Sequence, residues 1–459
     1  MMNKYSGLIL VFYTTLLSAS QITIVGCGYV GLTLAALLAD AGHAITCVDI
    51  DAHKIAALRQ QQLPIYEPGL YELLFNRDKK RDIHFTTAFD TIDDSDMHYI
   101  CVPTPINEYG GCDCSYVRTA CAAIINTRRN VDTPLMLVIK STVVPGTVRM
   151  LQDEFKASSR NVHFVYNPEF MREGSALHDM RLRNPIVLGA ESEYALCQVE
   201  QVLTTCLSAP TAVIKTNFET AELIKYSWNT FSALRIAYVN ELACVCRSLG
   251  ADVMSVVHGL ALSEELLPTK QLKPGPGYGG SCLPKDTTAF AHMLTNLGFN
   301  TTIAHRAIES NYYHKQRVVS DIISMLETKS QTKLASDSNT VTLLGLAFKA
   351  NTNDIRYSIA LDIIPRLLAQ GIRVKAYDPQ AMPVMQLLHQ DVEYCTSAYD
   401  AIIDTDCIVI LTEWQEFKDL DLEILASWCR KKNIIDTRNL FNTHDLTKHG
   451  FRYLTMGTV

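Results

Sequence analysis

The residues best suited to chemistry lie in one stretch, Gly275-Pro276-Gly277-Tyr278-Gly279-Gly280-Ser281-Cys282-Leu283-Pro284-Lys285-Asp286. Four glycines within six residues make a loop whose backbone a ligand can approach closely. Cys282 follows where the chain can enter a helix, and a helix N-terminus lowers a thiol's pKa toward the nucleophilic thiolate. Asp286, four residues on, is predicted on the same helical face. Lys225 and Asn229 are also four apart and share a helical face directed at one locus. Such a pair suits stabilising the oxyanion or water of an alcohol oxidation. Glu169 and Glu173 follow a strand at i and i+4. Glu169 is a candidate general base on water and Glu173 faces cofactor or substrate, unless both are simply acids at a helix start.

These groups need a scaffold that holds an electron acceptor. Ile22-Thr23-Ile24-Val25 reads as a strand, Gly26-Cys27-Gly28-Tyr29-Val30-Gly31 as a turn, and Leu32 to Ala41 as an apolar helix stopped at Gly42. Ala44 to Val48 is the next strand, closed by Asp49. A glycine fingerprint in this strand–turn–helix–strand setting, with an acid 21 residues beyond Gly28, predicts a dinucleotide site. The glycines admit a diphosphate to the helix N-terminus. Asp49 accepts from the ribose hydroxyls and would repel a 2'-phosphate, so NAD is expected over NADP.

Further strands are expected at His98–Val102, Pro134–Ile139, Asn161–Tyr166 and Ile186–Gly189, completing a doubly wound parallel sheet over about residues 21–205. The loops after two of them carry Thr104 and Ser141-Thr142, at the carboxyl edge where open α/β sheets bind ligands. A helical stretch from Asn217 to Leu249, stopped by Gly250, opens a central domain over 206–320. A second Rossmann-like half, 335–459, has strands at Val341–Leu344, Arg373–Tyr377, Cys407–Leu411 and Asn433–Ile435 but no glycine fingerprint. Lys349, Arg356 and Arg438 lie near its strand ends and suit a nucleotide diphosphate held by side chains. The fold class is therefore α/β, two Rossmann-like doubly wound domains joined by a central helical domain.

Composition agrees with a globular multidomain chain: 459 residues, 48% hydrophobic and 19% charged. A net charge of -7 gives no reason to expect a nucleic-acid partner, and Lys79-Lys80-Arg81 and Arg430-Lys431-Lys432 read as solvated runs. The 14 cysteines include no CxxC pair. Cys112/Cys114 and Cys244/Cys246 are spaced by one residue without a His cluster beside them, so no metal site is expected and the thiols read as reduced. Residues 1–20 resemble a short secretory signal, with an apolar run too short for a confident membrane span. A cytosolic cofactor favours reading them as a start-site extension, with the protein cytoplasmic and no membrane partner.

An NAD fold combined with a nucleophilic cysteine implies oxidation beyond the aldehyde. A thiol adds to the aldehyde, the thiohemiacetal gives up a second hydride, and water hydrolyses the thioester. At this point the chain resembles the UDP-glucose/GDP-mannose dehydrogenase family. The resemblance runs from about Gln21 to Asn442 through GCGYVG, LPIYEPGL, CVPTP, KSTVVPGT, NPEFMREGSA, KYSWN, GYGGSCLPKD, GLAFKANTNDIR and IIDTRN. It implies Cys282 as nucleophile, with Lys225, Asn229 and Asp286 as companions and Thr142 and Glu169 serving water activation. Gly26, Gly28, Tyr29, Val30, Gly31, Asp49, Lys54, Thr104, Ser141, Glu173 and Arg356 fall on cofactor positions. Lys273, Tyr278, Gly279, Lys349 and Arg438 fall on the substrate side, with Glu169, Lys225 and Asn229. The family further implies a nucleotide-sugar substrate, a homodimer or higher homo-oligomer, and a product feeding an acidic polysaccharide. Thr412-Glu413-Trp414 and GPGYGGSC are similar to the UDP-glucose branch, whereas STVVPGT and SCLPKD are similar to the GDP-mannose branch. Leu266-Leu267-Pro268 stands where UDP-glucose enzymes often carry Arg-Ile-Gly. UDP-glucose is the expected substrate, with GDP-mannose or a UDP-N-acetyl-hexosamine as alternatives. A two-electron hydroxyacid-type dehydrogenase and a non-catalytic nucleotide-sugar-binding homologue are readings from other classes.

Overall fold

The computed structural model describes residues 19–76, 82–92, 95–129, 132–156, 161–182, 185–208, 211–262, 272–326 and 339–457. The signal-like segment up to Ser18, Lys79-Lys80-Arg81 and Leu266-Leu267-Pro268 lie outside them.

Two sheets carry the architecture. The first contains β1 (Gln21–Val25), β2 (Ala44–Val48), β3 (Ile83–Thr86), β4 (Met97–Ile100), β5 (Leu135–Ile139), β6 (Val162–Tyr166), β7 (Ile186–Gly189) and β8 (Val213–Thr216). Their spatial order is 3-2-1-4-5-6-7-8. β1, β4 and β5 sit at the centre and are buried on both faces apart from exposed Gln21, so they read as continuous apolar runs without alternation. The sheet is not wholly parallel: β6 and β7 pair antiparallel through Tyr166 and Gly189. The intervening chain folds over the carboxyl edge and forms only the short helix Ala176–Leu182, rather than crossing back along the sheet. β3 and β8 were not expected. Ile214 and Lys215 of β8 are exposed, so that strand has no apolar signature, and it carries the sheet past residue 205 to Thr216.

The second sheet contains β9 (Thr340–Leu344), β10 (Arg373–Tyr377), β11 (Glu393–Tyr394), β12 (Cys407–Ile410), β13 (Asn433–Asp436) and β14 (Arg452–Thr455), in the order 11-10-9-12-13-14. All its pairs are parallel. Its two faces bury separate apolar clusters, one including Val341, Ile363 and Leu367 and the other Ile408, Phe417 and Ile434. Arg430 and Lys431 stay partly exposed, as expected, and also pair with buried Asp406, whose carboxylate accepts from the Thr340 amide at 2.8 Å.

Between the sheets runs α2 (Phe218–Leu249), preceded in the chain by α1 (Tyr29–Asp40) of the first unit. The Asn217 side chain caps α2 by accepting from the Thr220 amide, and Gly250 ends it at φ +68°. Its 32 residues span about 48 Å. α3 (Leu283–Asn296) and α4 (Ile303–Leu326) pack against it. Among the described residues no helix is long and apolar enough to cross a membrane.

The two sheet units meet at Tyr29, in the first turn of α1. Its hydroxyl lies 3.0 Å from the Tyr66 carbonyl, 2.7 Å from Thr352 Oγ1 and 3.0 Å from Asn353 Oδ1. Asn353 Oδ1 also accepts from the Tyr66 amide at 3.2 Å. Tyr29→Phe leaves these groups without their shared partner. It is expected to lower the first unfolding transition in urea by about 1–2 kcal/mol; an unchanged transition would show that other contacts join the units.

Candidate active site

Four segments converge on Cys282. α2 contributes Lys225 and Asn229, the loop after β6 contributes Glu169 and Glu173, the glycine loop leads into α3, and the loop after β5 carries Ser141-Thr142. Cys282 is the N-cap residue of α3 and is half-buried, with Pro284 in the first turn. Asp286 is buried and donates its backbone amide to the Cys282 carbonyl at 2.9 Å. It therefore sits one turn above the thiol, as its spacing requires.

Lys225 and Asn229 do share a face, and each meets a carboxylate there. The Lys225 ammonium donates to Glu169 at 3.0 Å, and the Asn229 amide donates to Asp286 at 2.5 Å. Lys225 also stands 5.3 Å from the centre of the Phe170 ring. Burial works against its charge, but Glu169, Cys282 and Asp286 outweigh it and hold the ammonium above its ordinary pKa. Lys285, adjacent to Asp286, donates to it at 2.5 Å and to the Thr104 hydroxyl at 3.3 Å.

The thiol departs from expectation. The helix N-terminus was expected to favour thiolate, yet burial, with Glu169 and Asp286, pushes Cys282 up to about 11, while Lys225 pulls the other way. The loss of water and two nearby carboxylates favour the thiol, and Lys225 favours the thiolate.

Glu169 and Glu173 do not share a helix. Residues 167–173 form irregular chain, so the two acids diverge. Glu169 accepts from the Met171 amide at 2.7 Å as well as from Lys225. Glu173 accepts from the Ser281 hydroxyl at 3.3 Å and the Thr352 hydroxyl at 3.4 Å, with Arg356 at 3.7 Å. Burial, with Asp354, pushes Glu173 up to about 7 against the pull of Arg356 and Lys349. Arg356 itself is clamped by Asp354 at 2.6 Å.

The dinucleotide crevice is built as its motif predicts. A side chain on Gly26, at φ +102°, would meet the Cys101 carbonyl oxygen at 2.5 Å, and one on Gly31 would meet the Gly26 carbonyl oxygen at 1.9 Å. Gly28 faces open space, so the protein's own packing does not demand a glycine there; a closely approaching phosphate does. The N-terminus of α1 carries no side-chain cap, leaving its amides for an anion. Asp49 accepts from the Cys27 amide at 2.9 Å and from Lys54 at 2.8 Å. Burial opposes its charge, but Lys54 and the Asp51 and Cys27 amides win and hold its carboxyl below the usual range. The residues present therefore fit NAD. Nearby, Thr104 donates to the Thr142 carbonyl at 2.9 Å and Ser141 to the Val102 carbonyl at 2.7 Å. Val30 stands in the first turn of α1.

On the far side, Tyr278 is buried, its amide donating to Asn311 at 2.8 Å and its hydroxyl to the Ala307 carbonyl at 3.3 Å. A side chain on Gly279 would meet the Tyr357 carbonyl oxygen at 2.5 Å. Arg438 donates to the Leu411 carbonyl at 2.8 Å and the Phe348 carbonyl at 2.9 Å, and pairs with Glu413 at 3.1 Å. Burial lowers the Lys349 pKa, opposed by Glu173 and Glu413. Lys273 is exposed, before the glycine loop.

Several working contacts belong to residues with no assigned role in the sequence reading. Lys285 and Ser281 lie inside the cysteine motif and were overlooked beside Cys282. Glu67 is buried and accepts from the Gly174 and Ala176 amides at 2.6 and 2.7 Å, pinning the loop that carries Glu173. Its motif, LPIYEPGL, was visible, but nothing local points to the partner 107 residues away.

Comparison with known proteins now decides the family. The model of the UDP-glucose/GDP-mannose dehydrogenase family NAD binding domain matches residues 20–206, that of the central domain 219–313, and that of the UDP binding domain 342–443. The chain belongs to the UDP-glucose/GDP-mannose dehydrogenase family. It is an NAD-dependent nucleotide-sugar dehydrogenase. This family member is 38% identical over 442 residues to the UDP-glucose 6-dehydrogenase TuaD of Bacillus subtilis, covering 95% of this chain and 93% of that one. It is 34% identical over 441 residues to the UDP-glucose 6-dehydrogenase of Rickettsia prowazekii, covering 95% and 99%. A solved UDP-glucose dehydrogenase from Pyrobaculum islandicum superposes with a TM-score of 0.85 at 29% identity, covering 96% of this chain and 98% of that one. A UDP-D-ManNAc dehydrogenase from Pyrococcus horikoshii gives 0.80 at 25% identity, covering 95% and 99%.

The elevated Cys282 pKa has a direct consequence for reactivity. Because the thiolate is the reacting form, alkylation of Cys282 by iodoacetamide in the ligand-free enzyme is expected to rise with pH and to be still rising at about pH 10. Peptide mass spectrometry separates this thiol from the others; a plateau by about pH 8 would mean that the helix terminus and Lys225 dominate after all.

Proposed function

We propose that this dehydrogenase oxidises the C6 alcohol of UDP-glucose to the carboxylate of UDP-glucuronate, with two NAD consumed and Cys282 as covalent nucleophile. The observation that carries the reading is the arrangement around the thiol: an ammonium, two carboxylates and an amide packed beside a cysteine at a helix start. Simple alcohol oxidation needs a base and a hydride acceptor but no thiol. NAD, when bound, accepts hydride.

The chain's own residues supply the rest. Gly26, Gly28, Gly31 and the amides at the start of α1 hold the diphosphate, and Asp49 the ribose. Lys225 and Asn229, with Asp286, hold the substrate oxygen or a water and balance charge as it develops. Deprotonated Cys282 adds to the aldehyde carbon, giving a thiohemiacetal; loss of a second hydride leaves a thioester. Glu169, with Thr142, orients and deprotonates the water that cleaves the thioester, releasing the acid and regenerating the thiol. Tyr278, Gly279, Lys273, Lys349 and Arg438 form the substrate side, and Thr104, Ser141, Glu173 and Arg356 the cofactor side.

UDP-glucose is favoured because the curated relatives bearing that activity in their names match along nearly the whole chain. The likeness to a UDP-D-ManNAc dehydrogenase supports a second reading, the same chemistry on a UDP-N-acetyl-hexosamine. A homodimer, cytoplasmic like its cofactor, completes the reading. Trp228, Phe231, Tyr238 and Val245 of α2 are exposed in the single chain and suit burial against a second copy.

The test is NADH released per molecule of sugar, with UDP-glucose, GDP-mannose and UDP-N-acetyl-hexosamines offered separately. Two NADH per UDP-glucose are expected, and Cys282→Ser is expected to cut turnover by at least about a thousandfold. Two NADH from another sugar would overturn the substrate and keep the mechanism. One NADH from the best substrate, or full activity without the thiol, would remove Cys282 from the chemistry.

A further inference from the structure

We propose that Cys112 and Cys114 form a redox-sensitive dithiol, closed by a hydroperoxide into a reversible disulfide that disables the active site beside it. The two sulfurs lie 3.7 Å apart, and both residues are half-buried, within reach of a small oxidant. A disulfide needs about 2.05 Å, so closure asks for a local shift of under about 2 Å.

The pair stands one layer behind residues assigned above to catalysis. Cys112 Sγ is 3.8 Å from the Thr142 carbonyl oxygen, which also accepts from the Thr104 hydroxyl. Lys285, which holds Asp286 and Thr104, acts electrostatically on Cys112. The surrounding backbone is fixed. Cys112 bridges Ile106, the Asn107 side chain accepts from the Gly111 amide at 2.8 Å, and the Asp113 amide donates to the Pro105 carbonyl at 2.8 Å. Cys114 is the N-cap residue of the helix Ser115–Thr127, with its Sγ 4.0 Å from the Thr147 hydroxyl.

The two thiols are unequal. The contact with Cys114 is the main influence drawing the Cys112 thiol below its ordinary range; burial opposes this, and Lys285 helps it. Cys114 is pushed up by the same contact and by burial. Either sulfur can attack, because either thiol can donate across the 3.7 Å contact; with Cys112 attacking, Cys114 resolves. The Cys112 thiolate attacks the outer peroxide oxygen: an S–O bond forms, the O–O bond breaks, and an alcohol or water leaves, giving a sulfenic acid. The Cys114 sulfur then displaces that hydroxyl, which departs as water with the Cys114 proton. Two electrons pass from the dithiol to the peroxide, and a thiol reductant returns them.

Closure pulls Cys112 from the Thr142 carbonyl, which Thr104 shares, so Thr142 loses its register. That inhibitory consequence rests on the catalytic reading of Thr142; formation of the disulfide does not.

The experiment treats the full-length enzyme with a few equivalents of hydrogen peroxide and reads peptide masses and NADH release in parallel. Wild type is expected to lose about 2 Da on the peptide holding Cys112 and Cys114. Turnover is expected to fall severalfold and to recover with dithiothreitol. Cys114→Ser keeps its basal turnover without that mass loss, and the double variant Cys112→Ala/Cys114→Ser resists the reversible inhibition. No mass loss on this peptide overturns the dithiol whatever the substrate is. A disulfide with undiminished turnover overturns the regulation, and a double variant as sensitive as wild type places the oxidation at Cys282.

Discussion

The site depends on one buried ion pair. Lys225 and Glu169 have side chains only 3% and 7% exposed, and their charges lie 3.0 Å apart. Removing an ammonium from water costs several kcal/mol, and removing one partner of such a pair costs about 3–5 kcal/mol. Glu169 must therefore arrive wherever α2 places Lys225. That requirement constrains the loop after β6, which is anchored by Lys140 donating to Asn167 Oδ1 at 2.9 Å and by Asn167 donating to the Val187 carbonyl at 3.0 Å. The antiparallel entry of β7 puts that carbonyl where the loop needs it.

A second carboxylate on the same helix face completes the constraint. Asp286 receives Lys285 from its own helix and Asn229 from α2, so the Asn229 contact ties α2 and α3 at the level of Cys282. The thiol is then enclosed by groups of both signs. Burial and the negative neighbours favour its protonated form, whereas the Lys225 ammonium favours the thiolate.

The cofactor crevice and the thiol are joined by a path of polar contacts. Tyr29 at the start of α1 meets Thr352, Thr352 donates to Glu173, and Glu173 accepts from Ser281 next to Cys282. The path passes through four separate parts of the chain, so it exists only when both sheet units are docked. Arg356, clamped on Asp354, stands beside the same carboxylate. Positive charge near the strand ends of the second sheet thus serves to neutralise acids of the site.

Much of this protein was legible in the order of its residues. The glycine fingerprint, the strand after it and Asp49 are a local pattern, because a diphosphate on a helix N-terminus needs its glycines at fixed short spacings. The span and both ends of α2 were readable for the same reason: Asn217 and Gly250 are capping residues that act within one turn. Lys225 with Asn229, and Cys282 with Asp286, were recognisable as pairs because helical geometry brings residues four apart together. The pairing between them was not. Lys225 finds Glu169 across 56 residues, Asn229 finds Asp286 across 57, and Tyr29 finds Thr352 across 323. Short strands such as β8 and β11 escaped because their side chains carry little apolar alternation, and neighbours rather than propensity hold them in place. The ionisation of Cys282 reversed its local expectation, since a helix terminus acts within a turn while burial and distant carboxylates come only from packing. Local spacing determined which residues could act; the tertiary structure decided which charges they meet, because desolvation and long-range contact have no signature in sequence separation.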